Sequence, residues 1–240
     1  KVKWQTLYFK IRINFTPLIS AISVLVHINK LRHNTHMTEK KSQIECTPNG
    51  PYKATNLGPL KSTKGEIETK DVVYLCRCGG SSKKPFCDGT HAKNGFSDSK
   101  TDDRTPDKKD NYSYGKITVS DNRGACAHAG YCTEGLPKVF RQEEEPFVDP
   151  AADLAENIAK VISQCPSGAL RFDLSGHSDK PTNSAVFVAP NGPYACSNIE
   201  LKGVVFNKGA NPNRYTLCRC GQSKNKPFCN GAHWDFEFDK

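Results

Sequence analysis

Short apolar runs separated by long polar stretches set the pattern of this chain. "VVYLC" at 72–76 and "LKGVVF" at 201–206 have the β-branched and aromatic content of short strands. "GKITVSDN" at 115–122 alternates like a strand and ends in a turn, and "ALRFDL" at 169–174 reads as a second strand. Between them, "DPAADLAENIAKVISQC" at 149–165 places Leu154, Ile158, Val161 and Ile162 at helical spacing, with Asp153 and Glu156 where a helix N-terminus favours acids. The polar stretches "NGFSDSKTDDRTPDKKDNYSYG" and "SGHSDKPTNSA" read as linkers. The pattern predicts an α+β chain made of two small β-rich modules, at 45–96 and 185–240, around an α+β domain at 114–174. A charged linker at 97–113 and a shorter one at 175–184 join them.

The two outer modules are copies. "PNGPY" at 48–52 recurs at 190–194, and "CRCGGSSKKPFCDGTH" at 76–91 recurs as "CRCGQSKNKPFCNGAH" at 218–233, each at an offset of 142. Both copies have the ligand spacing C-x-C-x8-C-x3-H: Cys76, Cys78, Cys87 and His91, then Cys218, Cys220, Cys229 and His233. These segments are rich in Gly, Ser, Lys and Pro, which predicts loops or a turn into a short helix. Modules of this size bury too little apolar surface to stand alone, and hydrophobic residues make up only 36% of the chain. Three thiolates and an imidazole hold zinc or an iron–sulfur cluster. A single residue between the first two cysteines suits two thiolates on one iron, with the C-x3-H pair on a second iron. Folding is therefore expected to depend on metal.

Charge adds little. The net charge is +9, yet residues 1–36 hold six basic residues and no acid, leaving 28 basic against 25 acidic residues. Nucleic-acid binding has no support once that segment is set aside. Met37 is the one methionine, and residues 1–36 are expected to lie outside the fold, as upstream sequence or as a targeting segment. "PLISAISVLVHI" is too short to span a bilayer comfortably, so no membrane contact is expected unless it is an anchor. The loop cations Arg77, Lys83, Lys84, Arg219, Lys224 and Lys226 read either as a solvated surface or as charges that offset a cluster and steer an acidic redox partner.

The two motifs resemble the CDGSH (mitoNEET-like) iron–sulfur domain family. The resemblance implies a 2Fe–2S cluster on Cys76, Cys78, Cys87 and His91 and another on Cys218, Cys220, Cys229 and His233. The first copy departs from the family pattern at Thr90; the second departs at Asn230 and Ala232. Asn230 removes a negative charge, so the two centres need not share a potential. Histidine ligation implies a raised potential and lability in acid. Pairing of modules in that family implies a monomer containing an intramolecular pseudo-dimer.

The middle domain has its own constellation. "CAHAGYC" and "CPSGAL" put Cys126 and Cys132 in the first and third places of a C-x2-C-x2-C run, with Ala129 in the second and Cys165-Pro166 closing it. This segment resembles divergent single-cluster ferredoxins. Three thiolates suit a 3Fe–4S cluster, or a 4Fe–4S cluster with another fourth ligand, for which His128 is the nearest candidate. Cys46 and Cys196 read as packed or free thiols.

Together these readings lead to a carrier of single electrons with no catalytic residues. Its partners would be redox proteins, or apo-acceptors if it instead donates clusters. Cluster chemistry requires a reducing compartment, by default a bacterial cytoplasm and otherwise the mitochondrial matrix.

Overall fold

The computed structural model describes residues 41–239, so the readings of residues 1–36 lie outside the described residues. In the first repeat the strands are β1 (Gln43–Cys46), β2 (Tyr52–Thr55), β3 (Leu60–Ser62), β4 (Gly65–Ile67) and β5 (Val72–Leu75). The middle of the chain holds β6 (Asp110–Tyr114), β7 (Ile117–Asp121), α1 (Tyr131–Gly135), α2 (Ala155–Ile162) and β8 (Leu170–Leu174). The second repeat supplies β9 (Ala185–Val188), β10 (Tyr194–Ser197), β11 (Glu200–Lys202) and β12 (Arg214–Leu217). The offset of 142 maps β1, β2 and β5 residue for residue onto β9, β10 and β12. The strand expected at 201–206 stops at Lys202, because Gly203 turns the chain with φ 69°.

The repeats exchange strands. One sheet runs β11-β1-β2-β5 and the other β12-β10-β9-β3-β4. Thus β11 pairs in parallel with β1, Leu201 opposite Ile44, and β3 pairs in parallel with β9, Lys61 opposite Phe187. Alternation in β2 turns Tyr52 and Ala54 inward, as β10 does with Tyr194 and Cys196. All of these join Ile44, Leu60, Leu75, Val186, Tyr215, Leu217 and Phe228 in one core spanning both repeats. Neither repeat has a core of its own. Cys46 lines this core and Cys196 is buried inside it.

The central domain has a separate core. The antiparallel sheet β6-β7-β8 faces α2, whose Ile158, Ala159 and Ile162 are buried with Ile117, Val119, Phe140 and Leu170. Leu154, placed by its spacing on the apolar face, instead precedes the helix and is exposed. Asp153 accepts from the Leu154 amide at 2.6 Å and the Asn157 side chain at 2.7 Å, at the N-terminus as its position suggested. The strand β6 begins inside the segment read as a linker. The segment before it touches both repeats: the Asp98 amide donates to Asn49 Oδ1 of the first at 3.1 Å, while the Thr101 amide donates to Lys224 C=O of the second at 3.0 Å and Asp103 pairs with the Lys224 ammonium. The second connection is pinned too, since Asp179 is buried between Arg171 and Arg214. No helix among the described residues is long and apolar enough to cross a membrane.

Candidate metal centres

Each ligand loop leaves the end of a strand, β5 or β12, and closes in a short 3-10 turn, at Thr90–Ala92 or Ala232–Asp235. The ligands stand in pairs. Cys76 and Cys78 sulfurs are 4.0 Å apart, and Cys218 and Cys220 sulfurs 3.7 Å. The Cys87 sulfur is 3.4 Å from His91 Nδ1, and the Cys229 sulfur 3.3 Å from His233 Nδ1. Two ligands about 2.3 Å from a tetrahedral metal stand about 3.7 Å apart, so each pair is spaced to share one metal. Among the described residues, no three His, Cys, Asp or Glu side chains gather around one point. Each motif therefore offers two two-ligand pairs.

The loops are preorganised for negative sulfur. The amide two residues on points at the thiol in Cys78 (Gly80, 3.5 Å), Cys87 (Gly89, 3.4 Å), Cys220 (Gln222, 3.5 Å) and Cys229 (Gly231, 3.5 Å). Such donors favour the thiolate and tune a cluster's potential. His233 Nε2 is buried without a partner, and burial, with Arg219 and His128 adding, lowers the ring's pKa to about 4. A neutral imidazole is the form that binds metal.

Two arginines and two tyrosines hold these loops, and sequence reasoning misread or missed all four. Arg77 and Arg219 are only 3% and 1% exposed, which overturns the solvated-surface reading for both. Arg219 grips Asp239 through both nitrogens at 2.6 Å and donates to the carbonyls of Ala189 and Gly192 at 2.6 and 2.9 Å. Arg77 lies over the Tyr52 ring at 5.1 Å and reaches Asp98 at 3.3 Å. Tyr52 Oη is 2.9 Å from the Cys218 carbonyl and 3.0 Å from that of Pro227. Tyr194 Oη is 3.0 Å from the Cys76 carbonyl and 2.8 Å from that of Pro85. Each tyrosine thus secures the ligand loop of the opposite repeat. The recurrence of "PNGPY" was the available signal, but its role needed the exchange of strands. The loops also meet directly, as Cys78 and Cys220 form an antiparallel bridge. A Cβ on Gly79 would strike the Cys220 carbonyl, and one on Gly221 would lie 2.6 Å from the Cys78 carbonyl.

Cys126 lies in the loop before α1, Cys132 in α1 itself and Cys165 in the turn that follows α2. Burial, then Cys165 and Cys126, push the Cys132 thiol up to about 12. The His128 amide donates to the Cys126 sulfur at 3.3 Å, a turn made possible by φ 53° at His128. The Ser167 hydroxyl stands 3.6 Å from the Cys165 sulfur. Arg123, which sequence reasoning missed, pairs with buried Asp121 at 2.8 Å and stacks on Phe147 at 4.1 Å beside these thiols. The His128 ring is set against the second repeat: a Cβ on Gly231 would lie 2.8 Å from its Cδ2.

Comparison with known proteins agrees with this layout. Residues 49–92 and 191–234 match the iron-binding zinc finger family of CDGSH type. Residues 112–174 match the divergent 4Fe-4S mono-cluster family. Two curated proteins, each named uncharacterized protein YjdI, from Escherichia coli K12 and Escherichia coli O157:H7, are 38% identical to this chain over 61 residues, 25% of this chain and 80% of theirs. No solved structure matches the chain. The chain is an iron–sulfur-binding protein in which two CDGSH-type domains flank a divergent 4Fe–4S mono-cluster domain.

Proposed function

We propose that this protein carries single electrons through two 2Fe–2S clusters and one 3Fe–4S or 4Fe–4S cluster. Cys76, Cys78, Cys87 and His91 would hold the first, Cys218, Cys220, Cys229 and His233 the second, and Cys126, Cys132 and Cys165 the third. The pairing of ligands supports this reading: four separate two-ligand pairs, each at single-metal spacing, suit two irons per motif. Bound clusters would supply one-electron chemistry, while the chain supplies amide donors, buried arginines and shelter from water. In this reading the chain is not an enzyme and works in a reducing compartment, the cytoplasm by default, with acidic redox proteins as partners. Iron and acid-labile sulfide counted per chain after anaerobic purification test it. About seven or eight irons with matching sulfide are expected; zinc in their place would sink it.

One observation favours cluster donation as a second activity of the first module. Cys78, Cys87 and His91 are only partly buried, so an acceptor has access to that centre. Transfer to an apo-acceptor from the first module alone is the expected outcome under this reading.

A further inference from the structure

The contacts among the three sites are ordered. The central domain meets the second module through the loops that carry its cysteines. The Asn225 side chain donates to Gly124 C=O at 2.9 Å, Asn207 donates to the same carbonyl at 3.1 Å, and Arg214 donates to Ile162 C=O at 3.2 Å. Trp234 Nε1 donates to His128 C=O at 3.1 Å, and its ring centroid lies 5.0 Å from that of His233. The second module meets the first through the Cys78–Cys220 bridge and the two tyrosines.

We infer that the three sites form a linear relay in which the second module is the obligatory middle station, with Trp234 and His128 bridging it to the central site. This rests on the multi-cluster reading above. The path runs from Cys126 through Ala127 to the His128 carbonyl by covalent bonds, over a hydrogen bond to the Trp234 indole, to the adjacent ligand His233. From there Cys220 passes to Cys78 through paired backbones. The tryptophan belongs to this path alone, since the corresponding residue of the first module is Ala92. In one transfer a single electron leaves the central site, which is oxidised, and reduces the second module; the first module is reduced in turn. A low-potential one-electron donor protein must feed one end, and a one-electron acceptor must drain the other.

The full chain, reconstituted without air, provides the test. After an iron and sulfide count, magnetic coupling between reduced centres is read by EPR in the intact protein and in Cys87→Ala and Cys229→Ala, which each lack one CDGSH centre. The relay requires the central signal to lose its broadening in Cys229→Ala and keep it in Cys87→Ala. Equal effects of the two substitutions, or no effect of either, overturn the relay while leaving the carrier reading intact. A chain with about four irons and none on the central cysteines overturns both. Trp234→Phe keeps a ring beside His233 but removes the indole donor; Trp234→Leu removes both. After a photoreductant injects one electron, redistribution between centres should slow in both variants, more in Trp234→Leu, with iron content unchanged. Unaltered redistribution in both overturns the bridging role.

Discussion

The two CDGSH modules present the same four ligands at the same spacing, yet they stand in different surroundings. In the second module Cys218, Cys220, Cys229 and His233 are all buried, His233 to 2% exposure. In the first, only Cys76 is buried. The second loop is covered by the central domain and by the chain around Thr101 and Asp103. Non-ligand positions follow this difference. The second copy has Asn225 where the first has exposed Lys83, and that asparagine is buried against Gly124. It has Trp234 for Ala92 and Asn230 for Asp88. A lysine at 225 would have to take an ammonium out of water, which costs several kcal/mol before any pairing. The ligand set thus determines what each site binds, and its neighbours determine how accessible and how negative the site is.

The largest expected consequence is a difference in iron release. A chelator reaches the first module at its surface, whereas the second must open locally first. About 1.4 kcal/mol of extra opening free energy is tenfold in rate or more, so a chelator should remove the first module's iron at least about tenfold faster. Following iron loss in Cys87→Ala and Cys229→Ala, which isolate each module, checks this. Equal rates would break the comparison at its root.

The ligands were legible because metal chemistry needs residues of fixed type at fixed spacing, and the offset of 142 carried the strand correspondence with it. The exchange of β3 and β11 was not legible. A strand of three residues carries no signal of its partner, and only the finished sheets show that both repeats share one core. That core includes Tyr52, Tyr194 and Leu217. The strands have apolar burial of their own, so the expected dependence of folding on cluster insertion falls on the ligand loops. Arg77 and Arg219 looked like surface cations because arginine between cysteines gives no hint of the carbonyls and carboxylates that receive it. The Asn225 and Lys83 difference stood in the aligned copies from the outset, but it means nothing until the central domain is seen to cover one copy.

A smaller effect sharpens the comparison by crossing it. Tyr52→Phe removes the hydroxyl from the Cys218 and Pro227 carbonyls, and Tyr194→Phe removes it from Cys76 and Pro85, at a cost of about 1–2 kcal/mol each. Because the contacts are exchanged, Tyr52→Phe should loosen iron in the second module and Tyr194→Phe in the first, read by the same chelator assay alongside thermal unfolding. Loosening in the tyrosine's own module would contradict the exchanged arrangement.

Smaller still is the clamp at the C-terminal end. Burial opposes the Asp239 charge, but Arg219 outweighs it and holds the carboxyl below its ordinary value. The pair's stabilisation is therefore present above the usual carboxylate pKa and lost as pH falls through the lowered one, below about pH 4. Asp239→Asn should cost about 1 kcal/mol at neutral pH, and the variant and wild type should converge in acid unfolding. Asp98→Asn should cost less, since Arg77 meets Asp98 through one nitrogen at 3.3 Å. A constant gap between Asp239→Asn and wild type down to pH 2 would show that the clamp acts by shape and not by charge.

The finest test separates charge from burial as the source of any difference in potential. Asp88 accepts hydrogen bonds from the amide and hydroxyl of Ser82 at 2.8 and 2.9 Å, and from the amide and hydroxyl of Thr90 at 3.1 and 2.7 Å. These donors, the Thr90 hydroxyl foremost, keep it ionised next to Cys87. Asn230 accepts only from the Ala232 amide, at 3.2 Å, and carries no charge. Cluster potentials depend on net charge, on hydrogen bonds to sulfur and on solvent exposure. The amide donors to sulfur are matched between the modules at 3.4–3.5 Å, but the Asn94 side chain is a further donor to Cys78, where the second module has Phe236. Charge, exposure and the Asn94 donor therefore differ between the modules. Asp88→Asn should raise the first module's potential and Asn230→Asp should lower the second's, each followed by a redox titration resolved by EPR. If the double exchange inverts the order of the two centres, the single carboxylate sets their difference. If the order survives, the carboxylate does not set it, and the cover provided by the central domain and the Asn94 donor to Cys78 are what separate the two centres.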